Sequence, residues 1–493
     1  MNPDKHSFKI ASIQGIFWGV FRNWGGEIIA FLVFLTLARI LTPADFGLIA
    51  LGIAFIGIME IIITQGFVPS LVRLESVNSK HLNSVFLVCM SVSLGLALLL
   101  WLIADWTPRV FNEPQLPVIL KSLCPILILN ALSIVPRAVL MRRMAFREIA
   151  VRAVCSTALG GLVGLGLALS GFGVWSLVGQ QLAHTLLGTV LIWFMASWHP
   201  KLQFSRSAFQ EVAHTSFHFF GISGIYTAET QIRSFAIGYF MGTSILGFFR
   251  LARRIVDLII KAFIHSVGDT TMTIYSKLNN NPQHIWNTFR THNFFVGMIC
   301  LPIFLLMFLG SPSIIKTLVG SEWLQAAPII QILCIGGTIQ ALLGGGNPLL
   351  QAQGNTALLL KIRVIITSVS MVILFFLIQI DFYLMLIGTV IWAISGKLVN
   401  FHILRFVHPN LTFVSIFRNQ IPNLCGACLL AIGWFLCRPL FQPLPEYVGL
   451  FLTTAIASAL YLFVVFMLAP NVIGQIKTMV SLLMNKTSES MSS

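Results

Sequence analysis

Residues 84–104 have the sequence SVFLVCMSVSLGLALLLWLIA, which contains no Asp, Glu, Lys, Arg or His. A helix of roughly 20 mostly apolar residues is long enough to cross the hydrocarbon core of a bilayer. The stretch is too long and too continuously apolar for a barrel strand, which needs about ten residues of alternating polarity. It therefore predicts a transmembrane helix.

Similar apolar runs fill the rest of the 493-residue chain, which is 57% hydrophobic and only 10% charged. Soluble domains carry about 25% charged residues, so no sizeable soluble domain is expected. We predict an all-α polytopic membrane protein with about 14 transmembrane helices. The predicted spans are 14–38, 47–70, 84–104, 117–138, 152–170, 173–195, 215–241, 244–270, 291–311, 325–345, 357–379, 383–404, 419–437 and 447–469.

The formal net charge of +15 raises the question of nucleic acid binding. The basic residues lie singly and in small groups between apolar runs, which is the pattern of topology signals and of contacts with membrane lipids. Most of those outside the spans fall on the side of the N-terminus, and the opposite side has only Arg39, Arg109, Lys316 and Arg438. We therefore expect both termini in the cytoplasm, a retained first span, and no nucleic acid partner.

The chain also contains an internal duplication. Residues 199–204 (HPKLQF) resemble residues 408–413 (HPNLTF), and residues 41–51 (LTPADFGLIAL) resemble residues 241–251 (MGTSILGFFRL). Nearly equal offsets predict two parallel six-helix repeats that form two lobes around a central cavity, with two C-terminal helices added. The predicted domains are the N-terminal lobe at 1–210, the C-terminal lobe at 211–410, the added helices at 411–470 and a cytoplasmic tail at 471–493.

Charged residues inside the spans are the candidates for function, because such residues usually face a bundle interior or a water-filled cavity. At 3.6 residues per turn, five of them in the eighth span lie within an arc of about 100°. They are Arg250, Arg253, Arg254, Asp257 and Lys261. The remaining residues of this helix, including Leu251, Ile255 and Ile259, predict an opposite face that is exposed to lipid.

The opening helices of the two repeats contain further charges. Glu229 and Arg233 have the i, i+4 spacing of a favourable helical pair. Arg22 and Glu27 lie in the first span, and Glu60 lies in the second. Guanidinium groups bind phosphate oxygens in a bidentate manner, so this set suits a phosphate or pyrophosphate headgroup. The structural alternative is a set of salt bridges that holds the helices together.

Four motifs resemble the polysaccharide transporter family, which contains Wzx-type flippases and belongs to the multidrug/oligosaccharidyl-lipid/polysaccharide exporter superfamily. They are residues 37–48 (LARILTPADFGL), residues 173–178 (GVWSLV), the pairs Ile237-Gly238 and Leu246-Gly247 around Gly242, and residues 347–354 (NPLLQAQG). The resemblance covers most of the chain. It implies a fourteen-helix, two-lobed exporter that transfers undecaprenyl-pyrophosphate-linked repeat units across the bacterial inner membrane by alternating access.

The resemblance also implies coupling to a proton or sodium gradient, with no other cofactor, and it makes other polysaccharide assembly proteins candidate partners. Many relatives have Asn and Asp in the seventh helix, where this chain has Gln231 and Arg233, and Arg250 or Arg253 replaces an aromatic residue in the eighth. These departures predict a more basic site and an acidic substrate, and they leave the coupling ion open. The predicted cationic cavity consists of Arg22, Arg233, Arg250, Arg253, Arg254 and Lys261, and the predicted charge partners or coupling groups are Glu27, Glu60, Glu229 and Asp257.

Two other functions remain as alternatives. A multidrug or cation antiporter of the same superfamily would favour an acidic cavity, whereas the charges inside the spans are net positive. A membrane-embedded polysaccharide polymerase or ligase would be expected to have a large loop with catalytic groups. The longest non-cytoplasmic segments, near 105–116 and 310–324, are short and lack clustered carboxylates or His. We therefore expect a transporter without catalytic residues or a metal site.

Overall fold

The structure, a computed structural model, describes residues 25–64, 67–74, 76–268, 271, 275, 282–344, 346–352, 356–407 and 413–470. Over these residues the chain is helical and contains no β-strand, so the all-α prediction is confirmed. The helices are α1 (25–40), α2 (Pro43–Thr64), α3 (Phe67–Arg73), α4 (Ser79–Ile103), α5 (Thr107–Phe111), α6 (Leu116–Leu123), α7 (Pro125–Arg142), α8 (Phe146–Leu169), α9 (Val174–Ala196), α10 (Arg206–Ile259), α11 (Pro282–Leu318), α12 (Ala326–Leu343), α13 (Gly346–Ala352), α14 (Thr356–Leu377), α15 (Phe382–Val407), α16 (Phe413–Leu440) and α17 (Glu446–Leu468).

Twelve helical segments of the described chain are long and apolar enough to cross a membrane. Every predicted span from the second to the last overlaps one of these segments, and the seventh and eighth share the segment Gly224–Gly268. The first predicted span lies partly outside the described residues, which are helical over 25–40. The chain is thus a multi-pass membrane protein, and the number of fourteen spans stays a prediction.

Helix α2 begins inside the first family motif, at a cap formed by Thr42 and Asp45. The Thr42 hydroxyl donates to Oδ2 of Asp45 at 2.7 Å, and the Asp45 amide donates to the Thr42 hydroxyl at 3.3 Å. This reciprocal pattern satisfies amide groups that have no partner within the first turn of a helix. Pro43 is the first helical residue, where its missing amide proton is not needed.

Helix α10 joins the seventh and eighth predicted spans. It contains 54 residues, and an unbroken helix of that length would be about 80 Å long at 1.5 Å per residue. Gly242 interrupts it with φ 81° and ψ 175°, a backbone conformation that is essentially restricted to glycine. A Cβ atom at Gly242 would meet no other atom within 4 Å, so the backbone conformation alone requires this glycine. The break lies between the two predicted spans.

The two duplicated stretches contact each other reciprocally near this break. A Cβ atom on Gly47 would lie 1.7 Å from the carbonyl oxygen of Thr243, and one on Gly247 would lie 1.9 Å from that of Pro43. The positions 43 and 243, and 47 and 247, correspond at the 200-residue offset of the duplication. The Thr243 hydroxyl also donates to Oε1 of Glu113 at 2.6 Å. Each glycine therefore admits the backbone of the other stretch.

Trp323 holds the C-terminal end of α1 in place. Its indole Nε1 donates to the carbonyl oxygen of Ala38 at 2.7 Å, which satisfies an acceptor that α1 leaves unpaired at its end. The buried ring packs edge-on against Phe46 and Phe248, with centroids 5.3 and 6.0 Å away. Trp323, Phe46 and Phe248 thus form a small aromatic cluster that joins the two duplicated stretches.

The described residues divide into two compact units. The first contains the chain up to Leu251 together with Leu318–Gln325 and Leu360–Gly388. The second contains Ala252–Thr317, Ala326–Leu359 and the chain from Thr389 onward. The predicted lobe boundaries at 210 and 410 stay a prediction.

In the second unit, buried amide side chains attach α16 to α11. Gln420 Nε2 donates to the carbonyl oxygen of Asn293 at 2.7 Å, and Asn423 Nδ2 donates to that of Phe294 at 3.1 Å. Tyr461 of α17 donates from its hydroxyl to the carbonyl oxygen of Met298 at 3.0 Å. Such interhelical hydrogen bonds supplement van der Waals packing in lipid, where apolar surface drives association weakly. They hold the two C-terminal helices, which lie outside the predicted repeats, against the rest of this unit.

Candidate functional site

The charged residues of the eighth predicted span lie on the accessible side of α10 and of the π-helical turn Ile260–His265 that follows it. We call them the basic face: Arg250, Arg253, Arg254, Asp257 and Lys261. The first four are partly exposed and Lys261 is exposed. The structure thus keeps all five side chains accessible, in agreement with the arc predicted from their spacing.

The prediction for the opposite side of this helix was wrong. Leu251, Ala252, Val256 and Ile259 are buried within the protein, although we had expected this side to face lipid. Packing against other parts of the chain removes apolar surface here, and periodicity alone does not distinguish a protein neighbour from lipid. The helix therefore buries its apolar side and exposes its charges. Because exposure of charges to hydrocarbon is costly, an accessible basic face requires an aqueous space.

One ion pair within the basic face is well defined. Nε of Arg253 donates to Oδ2 of Asp257 at 2.9 Å, and the two side chains are 36% and 29% exposed. The contact is the i, i+4 pair of a helix, and the predicted role of Asp257 in orienting the guanidinium stays a prediction. The formal charge of the basic face remains positive because three more cationic side chains accompany the pair.

Lys261 lies within the π-helical turn, and its carbonyl oxygen accepts a hydrogen bond from the Ser266 hydroxyl at 3.1 Å. π-Helical turns are rare and occur frequently at functional sites. A π-helical turn has more residues than an α-helical turn, so it rotates the residues that follow it around the helix axis. Residues beyond the turn therefore do not lie on the same side of the helix as the basic face. The predicted stripe thus ends at Lys261.

A second charged cluster lies in the first unit, where Glu229 binds two arginines. Oε1 of Glu229 accepts from Nη2 of Arg233 at 2.9 Å, and Oε2 accepts from Nη2 of Arg363 at 2.9 Å. The Thr367 hydroxyl donates to the same Oε2 at 3.2 Å. We call these four residues the Glu229 cluster. Two guanidinium groups share one carboxylate, so the cluster is formally cationic and both carboxylate oxygens are occupied.

The pair Glu229 and Arg233 was predicted from its spacing, whereas Arg363 and Thr367 were missed as site residues. Arg363 lies inside the predicted span 357–379 and within α14, one helical turn before Thr367, but the sequence analysis did not name it as a site residue. The i, i+4 spacing of two polar residues inside an apolar run was the available signal. The partner of Arg363 is 134 residues away in sequence, and no local pattern indicates it.

The side of α10 opposite this cluster packs on α2. A Cβ atom on Gly57 would lie 2.5 Å from Nε2 of Gln231, so the glycine makes room for this amide. The ring of Phe235 packs edge-on against Phe55 with centroids 4.6 Å apart. Gln231, which departs from the pattern of the resembling family, therefore contributes to helix packing rather than to the Glu229 cluster.

Two of the remaining predicted residues lie on α1 and α2. Glu60 in α2 accepts a hydrogen bond from the side-chain amide of Asn130 in α7, a mid-helix partner that the sequence analysis missed. Glu27 is partly buried on α1. Arg22 lies outside the described residues. Of the predicted cavity residues, the structure therefore connects Arg233 with Glu229 and Arg253 with Asp257.

The helical fold and accessible intramembrane charges are features of membrane transporters, and comparison with solved structures agrees. The chain is similar to the lipid II flippase MurJ in its inward closed conformation, with a TM-score of 0.66 and 14% identity over 94% of this chain and 99% of that one. It is also similar to an inward-facing multidrug resistance transporter of the MATE family, with a TM-score of 0.62 and 14% identity over 80% of this chain and 98% of that one. Both belong to two-lobed transporter folds, so the fold class predicted from the sequence is confirmed.

The family follows from the sequence comparison. The family model described as polysaccharide biosynthesis protein matches residues 36–328, which is more than half of the chain. The chain belongs to this family, and the resemblance found from its motifs is confirmed. It is 24% identical to the succinoglycan biosynthesis transport protein ExoT of Rhizobium meliloti over 70% of each chain. It is 20% identical to the lipopolysaccharide biosynthesis protein WzxC of Escherichia coli over 66% of this chain and 67% of that one.

Proposed function

We propose that the chain moves an undecaprenyl-pyrophosphate-linked oligosaccharide repeat unit across the bacterial inner membrane by alternating access. The single observation that carries the proposal is the basic face, which remains accessible while the other side of its helix is buried. Arginines within the membrane and in contact with water offer planar donors for pyrophosphate oxygens. The lipid tail of the cargo stays in the bilayer while its headgroup crosses through the aqueous space.

The family supports this proposal, since its relatives take part in succinoglycan and lipopolysaccharide biosynthesis. The basic face is formally positive and would attract the negatively charged pyrophosphate of this cargo. We place both termini in the cytoplasm and propose that a proton or sodium gradient drives transport, with no enzymatic step. A cation antiporter fits less well, because the carboxylate oxygens of Glu229 are both occupied by guanidinium groups.

The test uses a host strain in which the gene is deleted. We expect lipid-linked oligosaccharide to accumulate on the cytoplasmic side, as measured by extraction and mass spectrometry, and the intact gene to clear it. A variant with both Arg253→Gln and Arg254→Gln should lower the rate of clearance about tenfold or more, since a hydrogen bond to a charged group contributes roughly 1.5–3 kcal/mol.

The matched control is Lys201→Gln, which removes an exposed positive charge outside the predicted spans. It should clear the intermediate at the normal rate. Normal clearance by the double variant, at normal abundance in the membrane, would remove the basic face from the mechanism. Absence of any lipid-linked intermediate in the deletion strain would reject the proposed cargo itself.

A further inference from the structure

Arg363 lies over an exposed aromatic ring as well as beside Glu229. Its Cζ is 5.5 Å from the centroid of the Tyr226 ring, within the distance of a cation–π interaction. Tyr226 is 53% exposed and the Arg363 side chain is 40% exposed. A planar guanidinium and an aromatic ring thus present one continuous accessible surface in the first unit, at the Glu229 cluster.

The Glu229 cluster fixes the orientation of this surface. Nη2 of Arg363 is bound to Glu229, whose other oxygen is held by Arg233, and the Thr367 hydroxyl adds a third donor. Glu229 and Arg233 are only 18% and 16% exposed, so the anchor is largely buried while the surface is accessible. A guanidinium held at one end by a carboxylate keeps its other donors for a ligand without further loss of side-chain freedom.

The composition of the surface defines its ligand. The flat face of a pyranose ring, with its C–H groups, packs against aromatic rings, and Tyr226 offers such a ring with a hydroxyl at its edge. A guanidinium binds a carboxylate through two parallel hydrogen bonds. A sugar that carries a carboxylate satisfies both features, whereas a neutral sugar satisfies only the first.

We propose that Tyr226 and Arg363 form a binding site for a carboxylated sugar of the cargo, such as a uronic acid, separate from the pyrophosphate contacts of the basic face. The sugar ring packs against Tyr226, and its carboxylate binds Arg363. The site selects acidic over neutral repeat units. This inference rests on the proposed function, because it assigns the sugar part of the same cargo.

Three probes separate the sugar site from the headgroup site: undecaprenyl pyrophosphate, the same lipid linked to a disaccharide that ends in glucuronic acid, and its counterpart that ends in glucose. Their dissociation constants are measured with the purified full-length chain in lipid nanodiscs. We expect the glucuronic acid probe to bind about tenfold more tightly than the glucose probe, the effect of one charge-assisted hydrogen-bonded pair.

The variants test each group. Arg363→Gln should abolish the tenfold preference, and Tyr226→Leu should weaken the binding of both sugar probes. Both variants should leave the affinity for undecaprenyl pyrophosphate unchanged. Tyr226→Phe keeps the ring and should keep the preference. Arg363→Lys keeps the positive charge but loses the planar guanidinium, so this variant should lose most of the preference. If Arg363 served only as a topology signal, the lysine would preserve the preference. Tyr226→Leu leaves all three ion-pairing groups in place and stays informative if Arg363→Gln does not fold.

The outcomes are distinct. Loss of the preference in Arg363→Gln and weaker binding of both sugar probes by Tyr226→Leu, with unchanged binding of undecaprenyl pyrophosphate, support the site. Equal affinity of the unmodified chain for the two sugar probes, or an undiminished preference in Arg363→Gln together with undiminished sugar binding by Tyr226→Leu, overturns the site and leaves the proposed function standing. Failure of the unmodified chain to bind any of the three probes overturns the proposed function and the sugar site together.

Discussion

At the scale of single residues, Glu229 shows how two apolar helices can hold three charges between them. Its carboxylate accepts hydrogen bonds from Arg233, Arg363 and Thr367, so no oxygen of this side chain is left without a donor. Removal of one partner from such a cluster exposes the others to the full penalty of desolvation. The cluster therefore makes Glu229 a structural requirement as well as an electrostatic one.

We predict that Glu229→Gln lowers the stability of the chain by about 2 kcal/mol or more, because two guanidinium groups lose their counter-charge. The apparent melting temperature in detergent, followed by tryptophan fluorescence, measures the effect. The matched control is Glu446→Gln, which breaks a pair with Lys316 whose side chains are 35% and 54% exposed. An exposed pair contributes roughly 0–1 kcal/mol, so this control should melt close to the unmodified chain. Equal melting temperatures of the two variants would contradict the prediction.

Local spacing explains which half of this cluster the sequence predicted. Glu229 and Arg233 are neighbours on any helix, because four residues complete about one turn. Arg363 reaches Glu229 only after the chain has folded through several intervening helices. A single arginine near the start of an apolar run is equally compatible with a topology signal. The sequence therefore predicted the pair and missed its second guanidinium.

At the scale of elements, the break in α10 divides one long helix into two segments. Gly242 provides it through a backbone conformation that L-residues with side chains rarely adopt. The predicted spans 215–241 and 244–270 lie on either side of this glycine, because the hydropathy pattern is interrupted here. The structure has a helix on each side of Gly242, as the two predicted spans require.

We predict that Gly242→Ala destabilises the chain by roughly 1–3 kcal/mol through backbone strain alone. No atom lies within 4 Å of the added Cβ, so steric overlap contributes nothing. The melting temperature in detergent gives the effect. Gly166→Ala is the control, because this glycine lies in α8 with open space around it and should gain about 1 kcal/mol from helix propensity. A Gly242→Ala variant as stable as this control would contradict the assigned conformation.

Gly47→Ala tests the close approach of the duplicated stretches. The added Cβ would lie 1.7 Å from a backbone carbonyl oxygen, which cannot turn away as a side chain can. We expect a loss of about 1–3 kcal/mol or more from overpacking, and reduced abundance in the membrane. Gly95→Ala in α4, where nothing lies within 4 Å, should be tolerated. Normal abundance and melting of Gly47→Ala would show that the two stretches are farther apart.

At the scale of the whole molecule, composition and the positions of basic residues determined the class of protein and its expected orientation. The same information misassigned the apolar side of the basic face, because lipid and a packed protein neighbour demand the same residue types. The charged side was predicted correctly because ionisable groups tolerate only water or partners within a membrane. Fold class thus followed from bulk properties, whereas the burial of one helix face depended on tertiary packing.

The predicted orientation can be tested at two exposed turns with similar backbone conformations. Asn112, after α5, and Met144, after α7, have φ values of 55° and 53°. With cytoplasmic termini, Asn112 lies on the outer side of the membrane and Met144 lies on its cytoplasmic side. In a background without native cysteines, a membrane-impermeant maleimide should label Asn112→Cys in intact spheroplasts and label Met144→Cys only after permeabilisation. The reverse pattern would invert the topology.

The close approach of Gly47 to Thr243 and of Gly247 to Pro43 limits how the two stretches can vary. Of residues 41–51 and 241–251, most differ, while the glycine and the final leucine are the same in both. At 47 and 247 any carbon beyond Cα would overlap the main chain of the other stretch. Space, rather than chemistry, thus restricts both positions to glycine.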